Sequence, residues 1–247
     1  MYLALILTPA LQVVFHNLYL RPAKKKYIHM KKIVLSLLMS AAFVAPAAAQ
    51  KPAKSKAKAA PGTEQATSQS LAIGSLIPNE GAMLHGVDDR PISLMQAKTD
   101  KGLLVMFSCN TCPYVIKGQQ RTNEAIELAK KLGIGMIILN SNEAQRESDD
   151  APNMMMLYAT EQHYTVPYVR DEGSTMADMF GATRTPEVFL FDKNGILVYK
   201  GAMEDNPAEP AKSKVLYLNN AMRQMVDDRP IAPAVTKSIG CSIKRRQ

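Results

Sequence analysis

The stretch 103–139 restricts this chain most, because an apolar strand, two cysteines, an amphipathic helix and a second apolar strand follow one another there without interruption. Leu103-Leu104-Val105-Met106-Phe107 follows Lys101-Gly102 and is short and wholly apolar, the pattern of a strand buried on both faces. Ala125, Ile126, Leu128, Ala129 and Leu132 then recur at helical spacing over 123–132. Glu127 and Lys131 form an i,i+4 pair on the other side, and Gly133 ends the helix. Residues 134–139 are again apolar. Two strands joined by a helical crossover lie parallel in one sheet, so the spacing predicts a βαβ unit and an α/β domain.

Further elements extend this unit. Asp150 and Pro152 open a helix reaching about His163, a strand is expected over 166–169, and a short helix over 174–180 closes at Gly181. Residues 187–191 and 196–199 flank Asp192-Lys193-Asn194-Gly195, a turn that suits an antiparallel hairpin. Val215, Leu218, Met222 and Met225 or Val226 mark a last amphipathic helix before Arg229-Pro230, with a polar tail beyond it.

Cys109-Asn110-Thr111-Cys112 lies where the first buried strand gives way to a helix. Unpaired N–H groups and the positive dipole end favour a thiolate at a helix N-terminus, lowering a thiol pKa from ~8.5 into the ~3.5–7.5 range. Cys109 is therefore the expected nucleophile. Cys112, one turn further and less exposed, would attack the mixed disulfide and leave an intramolecular disulfide behind. A static disulfide and half of a zinc site are the competing readings; the second needs four N or S ligands, and only Cys241 and one of the four histidines could supplement the pair. Thr185-Pro186 immediately precedes an apolar run, where a proline would damage a central strand, so a cis bond at the start of that strand is expected.

The formal charge of +8 invites a nucleic-acid reading that its distribution removes. Residues 1–50 hold six Lys or Arg and no acid, residues 51–70 hold four Lys against Glu64, and from Leu71 onward 20 basic residues face 21 acidic ones. A body near neutrality has no broad electrostatic footprint for a phosphate backbone. The excess lies instead in targeting and linker segments. Met30-Lys31-Lys32, an apolar run to Val44 and Ala47-Ala48-Ala49-Gln50 have the three regions of a secretory signal peptide, with cleavage expected after Ala49. The apolar run is shorter than the roughly 20 residues that span a bilayer. Residues 1–49 are thus read as leader and signal peptide with Met30 as the expected true start. Residues 50–70, rich in Lys, Ala, Ser, Thr and Pro, are read as a flexible linker, and 71–247 as the folded domain with its C-terminal tail.

Several segments together resemble the thioredoxin-like redoxin family, the AhpC/TSA and TlpA-like extracytoplasmic proteins, over roughly residues 73–245. They are Gly74-Ser75-Leu76-Ile77-Pro78, Phe107-Ser108-Cys109-Asn110-Thr111-Cys112-Pro113, Val166-Pro167-Tyr168, Phe180-Gly181-Ala182-Thr183-Arg184-Thr185-Pro186 and Ser238-Ile239-Gly240-Cys241-Ser242-Ile243-Lys244. The resemblance implies a thioredoxin fold, a central mixed sheet with helices on both faces. It also implies a cis Thr185–Pro186 bond packed against the Cys109–Cys112 pair, with the Thr185 backbone holding a substrate strand by main-chain hydrogen bonds. Two departures stand out: Met106 lies near where many thioredoxins carry a buried acid, and Arg184 precedes Thr185 where some similar proteins carry Cys.

Three further residues are candidate auxiliaries. Arg184 could favour a thiolate electrostatically. Glu187 is either an acid–base helper or, on burial statistics, a solvated edge carboxylate. Cys241 is either an inert tail thiol or one that resolves or protects Cys109.

The leading functional expectation is extracytoplasmic, periplasmic-type dithiol–disulfide exchange through Cys109 and Cys112, with protein thiols or disulfides as substrates, a membrane electron donor, and no cofactor or metal. A peroxiredoxin-like thiol peroxidase is the near alternative. Peroxide activation calls for hydrogen-bond donors around one thiolate, usually a Pro and Thr upstream and an Arg in space, whereas Phe107-Ser108 precede Cys109. A copper chaperone is the second alternative, with Cys109, Cys112 and His163 or a Met on Cu(I). Methionine is plentiful, at 15, and Met154-Met155-Met156, Met176, Met179, Met222 and Met225 read by their helical spacing as core packing.

Overall fold

The computed structural model describes residues 69–246. The expected leader, signal peptide and all but the last two residues of the expected linker lie outside the described residues.

The elements in chain order are β1 (Leu84–Gly86), β2 (Pro91–Ile92), α1 (Leu94–Ala97), β3 (Leu103–Ser108), α2 (Pro113–Lys117), α3 (Gln119–Leu132), β4 (Gly135–Asn140), α4 (Pro152–Glu161), β5 (Tyr168–Arg170), α5 (Thr175–Phe180), β6 (Arg184–Thr185), β7 (Glu187–Phe191), β8 (Leu197–Gly201), α6 (Tyr217–Val226) and β9 (Cys241–Ser242). Seven strands form one sheet in the order β2-β1-β5-β4-β3-β7-β8. β3, β4 and β5 run parallel, as the βαβ reading requires, while β7 and β8 are antiparallel to their neighbours.

Alternation along β3 assigns side chains to two cores. Leu104 and Met106 point to the face covered by α3, α4 and α6, through Ile126, Met155 and Leu218 among others. Leu103, Val105 and Phe107 point to the face covered by α1 and α5, through Leu94, Met176 and Phe180. With β3 and β4 covered on both faces, their continuous apolar sequences are explained. The domain is a mixed sheet with helices on both faces, a thioredoxin fold.

Three boundaries differ from expectation for local reasons. α3 starts at Gln119 rather than Asn123, because periodicity marks only the buried part of a helix and the break from α2 falls at Gly118. β5 begins at Tyr168, since Pro167 has no N–H to give a ladder and contributes only its carbonyl, to the Ile138 N–H at 2.9 Å. The ordered domain also starts before Leu71: Lys200 Nζ donates to Ser70 Oγ at 2.9 Å, and the Leu71 N–H donates to the Phe180 carbonyl at 2.9 Å. Ser70 is thus part of the folded body, not of a flexible linker.

The polar tail after α6 is tied to the sheet through its backbone. The Lys200 N–H donates to the Ala234 carbonyl and the Thr236 N–H to the Lys200 carbonyl, both at 3.0 Å, so the tail runs alongside β8. Further on, β9 pairs antiparallel with β6 in a second, two-stranded sheet.

Candidate functional site

β3 ends in the middle of the sheet and delivers the chain into Cys109-Asn110-Thr111-Cys112. α2 begins only at Pro113, a residue that loses nothing at the first helical position because the N–H there has no partner anyway. Cys112, not Cys109, is therefore the N-cap residue. The expected order of exposure also reverses, with Cys109 1% and Cys112 4% exposed.

The loop between the sulfurs is clamped. The Asn110 N–H donates to Asp150 Oδ1 at 2.9 Å, Asn110 Nδ2 donates to the Asp149 carbonyl at 2.8 Å, and the Tyr168 hydroxyl donates to Asn110 Oδ1 at 2.9 Å. Asp150 is fully buried and also accepts from Asn140 Nδ2 at 2.7 Å and Asn142 Nδ2 at 2.9 Å. Sequence reasoning missed this acid, since an Asp just ahead of Pro152 reads as a helix cap. The cap position is Ala151, which leaves the Asp150 carboxylate free to turn inward. A buried acid is present near Cys109 after all, supplied by the loop before α4 rather than by the position of Met106.

The Thr185–Pro186 peptide is cis, and Thr185 touches both sulfurs. Its hydroxyl lies 3.4 Å from Cys109 Sγ, and its carbonyl accepts from Cys112 Sγ at 3.2 Å. The two thiols titrate apart. A hydrogen bond from the Cys109 thiol, then the Cys241 thiol and the N–H groups of Val115 and Cys241, outweigh burial and hold Cys112 down to about 4. Cys109 is pushed far up by its hydrogen bond to Cys112, by burial and by the charge of Asp150, against the Thr185 hydroxyl. In the dithiol, Cys112 donates to the Thr185 carbonyl; once ionised, its sulfur is held by the donors just named. Among the described residues, no arginine is a partner of either sulfur.

The other candidates fall into new places. β9 lies against β6 with Thr185 opposite Cys241 and Arg184 opposite Ser242, so the main-chain edge expected to hold a substrate strand is taken by the protein's own tail. Arg184 reaches away from Cys109 and donates to Ser242 Oγ at 3.0 Å. Glu187 is neither solvated nor at an edge, since β7 lies between β3 and β8. Its Oε2 accepts the N–H groups of Thr183 and Arg184 at 2.8 and 3.1 Å, and its Oε1 accepts from Ser238 Oγ at 3.0 Å. Those bonds occupy the carboxylate in bracing the Pro186 turn and the tail. Cys241 packs against Cys109, Cys112 and Val115, and its thiol faces Cys112 rather than Cys109.

His163 is exposed beyond α4, and no group of three or more His, Cys, Asp or Glu side chains disposed to hold a metal ion occurs among the described residues. A shallow depression beside the loop is lined by Asn110, Thr111, Met154, Leu157 and Tyr158.

A family model described as Redoxin matches residues 56–216. No curated protein matches the sequence. Among solved structures, a hypothetical protein from Sinorhizobium meliloti 1021 is similar at 26% identity and a TM-score of 0.65, over 72% of this chain and 97% of that one. An uncharacterized conserved protein from Geobacillus kaustophilus is similar at 30% identity and a TM-score of 0.63, over 71% and 93%. With a redoxin model spanning more than half of the chain and a thioredoxin fold around the clamped cysteine loop, the chain belongs to the Redoxin family and is a thioredoxin-like oxidoreductase.

Proposed function

We propose that this oxidoreductase works by dithiol–disulfide exchange with protein substrates through Cys109 and Cys112, and that it does so outside the cytoplasm. The observation that carries the reading is the division of labour between the two sulfurs. Cys112 is the N-cap residue of α2, where helix N–H groups favour a thiolate, and Cys109 lies beneath it, nearly fully buried and in reach of the Thr185 hydroxyl.

In the reductive direction the Cys112 thiolate attacks one sulfur of a substrate disulfide. A Cys112–substrate bond forms, the substrate S–S bond breaks, and the departing thiolate takes a proton. Cys109, as it loses its proton, attacks Cys112 Sγ and expels the second substrate thiolate. The substrate gains two electrons and the protein is left with a Cys109–Cys112 disulfide. A dithiol donor must then reduce that disulfide, and export by the segment at residues 30–49 would put a membrane-bound donor within reach. Thr185 and Pro186 supply the edge against which a substrate strand pairs once β9 moves aside.

The test compares insulin-disulfide reduction, hydrogen-peroxide consumption and Cu(I) titration for the wild type, Cys109→Ser and Cys112→Ser. Insulin reduction is expected for the wild type and is lost in Cys112→Ser, and Cys109→Ser combined with Cys241→Ser should trap a mixed disulfide. Cys112-dependent peroxide loss without insulin reduction would replace exchange by a peroxidase, and stoichiometric Cu(I) binding without turnover would replace it by a copper carrier. For the location, mass spectrometry of the mature protein should give Gln50 as its first residue, and a start at Met1 refutes export by cleavage.

A further inference from the structure

β9 occupies the place that strand-adding peptides take on other proteins: the free edge of a short strand, paired through the main chain. The residue of β6 that it faces is Thr185, the same residue whose hydroxyl and carbonyl touch Cys109 and Cys112. Whatever stands opposite Thr185 in an added strand is carried to the two sulfurs, and here that residue is a cysteine. The register is pinned on both sides of it. Upstream, Ser238 is tied to Glu187 at 3.0 Å. Downstream, the Ile243 N–H donates to the Thr183 carbonyl at 3.1 Å, and the Lys244 N–H donates to Asn142 Oδ1 at 2.9 Å. A slip by one residue would turn the cysteine to the opposite face. Gly240 lets the strand lie this close: a Cβ there would sit 2.1 Å from the Thr185 carbonyl oxygen.

We propose that Cys241 is a third redox residue of this site, held by β9 against Cys112 where a substrate cysteine would lie, and that it exchanges into the Cys109–Cys112 disulfide. The proposal rests on the exchange reading above. The step balances within the three cysteines. The Cys241 thiolate attacks Cys112 Sγ, the Cys112–Cys241 bond forms as the Cys109–Cys112 bond breaks, and Cys109 leaves as a thiolate that takes up the proton given by Cys241. One disulfide and one thiol exist before and after, so no outside oxidant is consumed. The redox state of the pair sets the timing. In the reduced protein, burial and the neighbouring Cys112 sulfur push Cys241 up to about 11. Once Cys112 is in a disulfide it bears no charge, and Lys244 and Arg184 remain to favour the Cys241 thiolate. The linked form closes β9 over the substrate edge and returns Cys109 as a buried thiol. A substrate has to displace the tail strand, or a reductant release it.

The full chain is poised in glutathione buffers from fully reduced to fully oxidised, quenched with acid, alkylated and mapped by non-reducing proteolysis. Both Cys109–Cys112 and Cys112–Cys241 linkages are expected in the wild type, and Cys112–Cys241 alone in Cys109→Ser. Gly240→Val, which forces β9 off the Thr185 carbonyl, should lower the Cys112–Cys241 fraction about tenfold or more while leaving Cys109–Cys112 intact. The proposal is overturned if no Cys112–Cys241 linkage forms at any poise in either the wild type or Cys109→Ser, or if Gly240→Val leaves its yield unchanged. Insulin reduction measured on the same preparations separates the two readings. Turnover without the linkage overturns the role of Cys241 alone, and the linkage without turnover overturns the exchange function alone.

Discussion

Ile243 is the residue whose truncation tests most directly how the tail guards the sulfurs. Its side chain is 6% exposed and sits among Phe180, Ala182 and Phe189 on the α5 face of the sheet, two residues beyond Cys241. Removing a buried isoleucine to alanine costs about 2–5 kcal/mol, and the low end applies where neighbours can settle into the space, as a terminal strand can. A loss of about 2 kcal/mol that falls on the closed tail and not on the open one raises the open population about 30-fold. The reduced protein is treated with iodoacetamide at fixed pH and Cys112 modification is followed by mass. When opening and closing outpace alkylation, the observed rate is the intrinsic rate multiplied by the open fraction, so Ile243→Ala should be modified about 30-fold faster. Lifting a short strand exposes little surface, so the rate should depend only weakly on low urea concentrations. A change below about threefold, less than about 0.7 kcal/mol, would refute the reasoning. So would a urea dependence as steep as that of global unfolding, because access would then require the whole domain to open.

The remaining expectations concern the groups around the sulfurs. Thiolate absorbance of the reduced protein should titrate with a midpoint of about 4 and disappear in Cys112→Ser. Because the folded value of Cys112 lies below its ordinary 9.0, the stability its thiolate contributes is full above pH 9 and is lost as the pH falls to about 4. The raised Cys109 and Cys241 act oppositely and subtract stability above pH 9, so denaturation midpoints of the wild type relative to the triple Cys→Ser variant should rise from pH 4 to 9 and fall beyond it. A flat difference would show that these thiols are not perturbed. Asp150→Asn keeps the shape but removes one acceptor charge from three donors, and urea titration should show a loss of about 1–3 kcal/mol. Glu187→Gln should cost a similar ~1–3 kcal/mol while leaving the shape of the insulin-reduction pH profile unchanged, because its carboxylate braces backbone and does not reach either sulfur. A shifted profile would restore an acid–base role to Glu187.

What could be read from the chain was what contiguous residues encode. The βαβ unit, the hairpin at Asp192-Lys193-Asn194-Gly195 and the short helix before Gly181 all came from periodicity and turn chemistry within a few residues. The cysteine motif stood out because it falls at the strand–helix junction of that unit. Local patterns were weaker at element boundaries, and at this site the boundary matters: with α2 starting at Pro113, the N-cap residue is Cys112 and not Cys109.

Tertiary structure alone decided the rest. Asp150 turns inward because the Asn110 N–H and the side-chain amides of Asn140, at the end of β4, and Asn142 converge on it. Glu187 is buried because β7 pairs between β3 and β8, a neighbour relation that its own sequence does not carry. The tail looked polar because its attachment is mostly backbone to backbone, and main-chain hydrogen bonding leaves no hydrophobic period to detect. Sequence alone determined that two cysteines sit at the end of a buried strand. Only the pairing of β6 with β9, between segments far apart in the chain, placed a third beside them, because the energy that holds it there is set by long-range contact and not by local propensity.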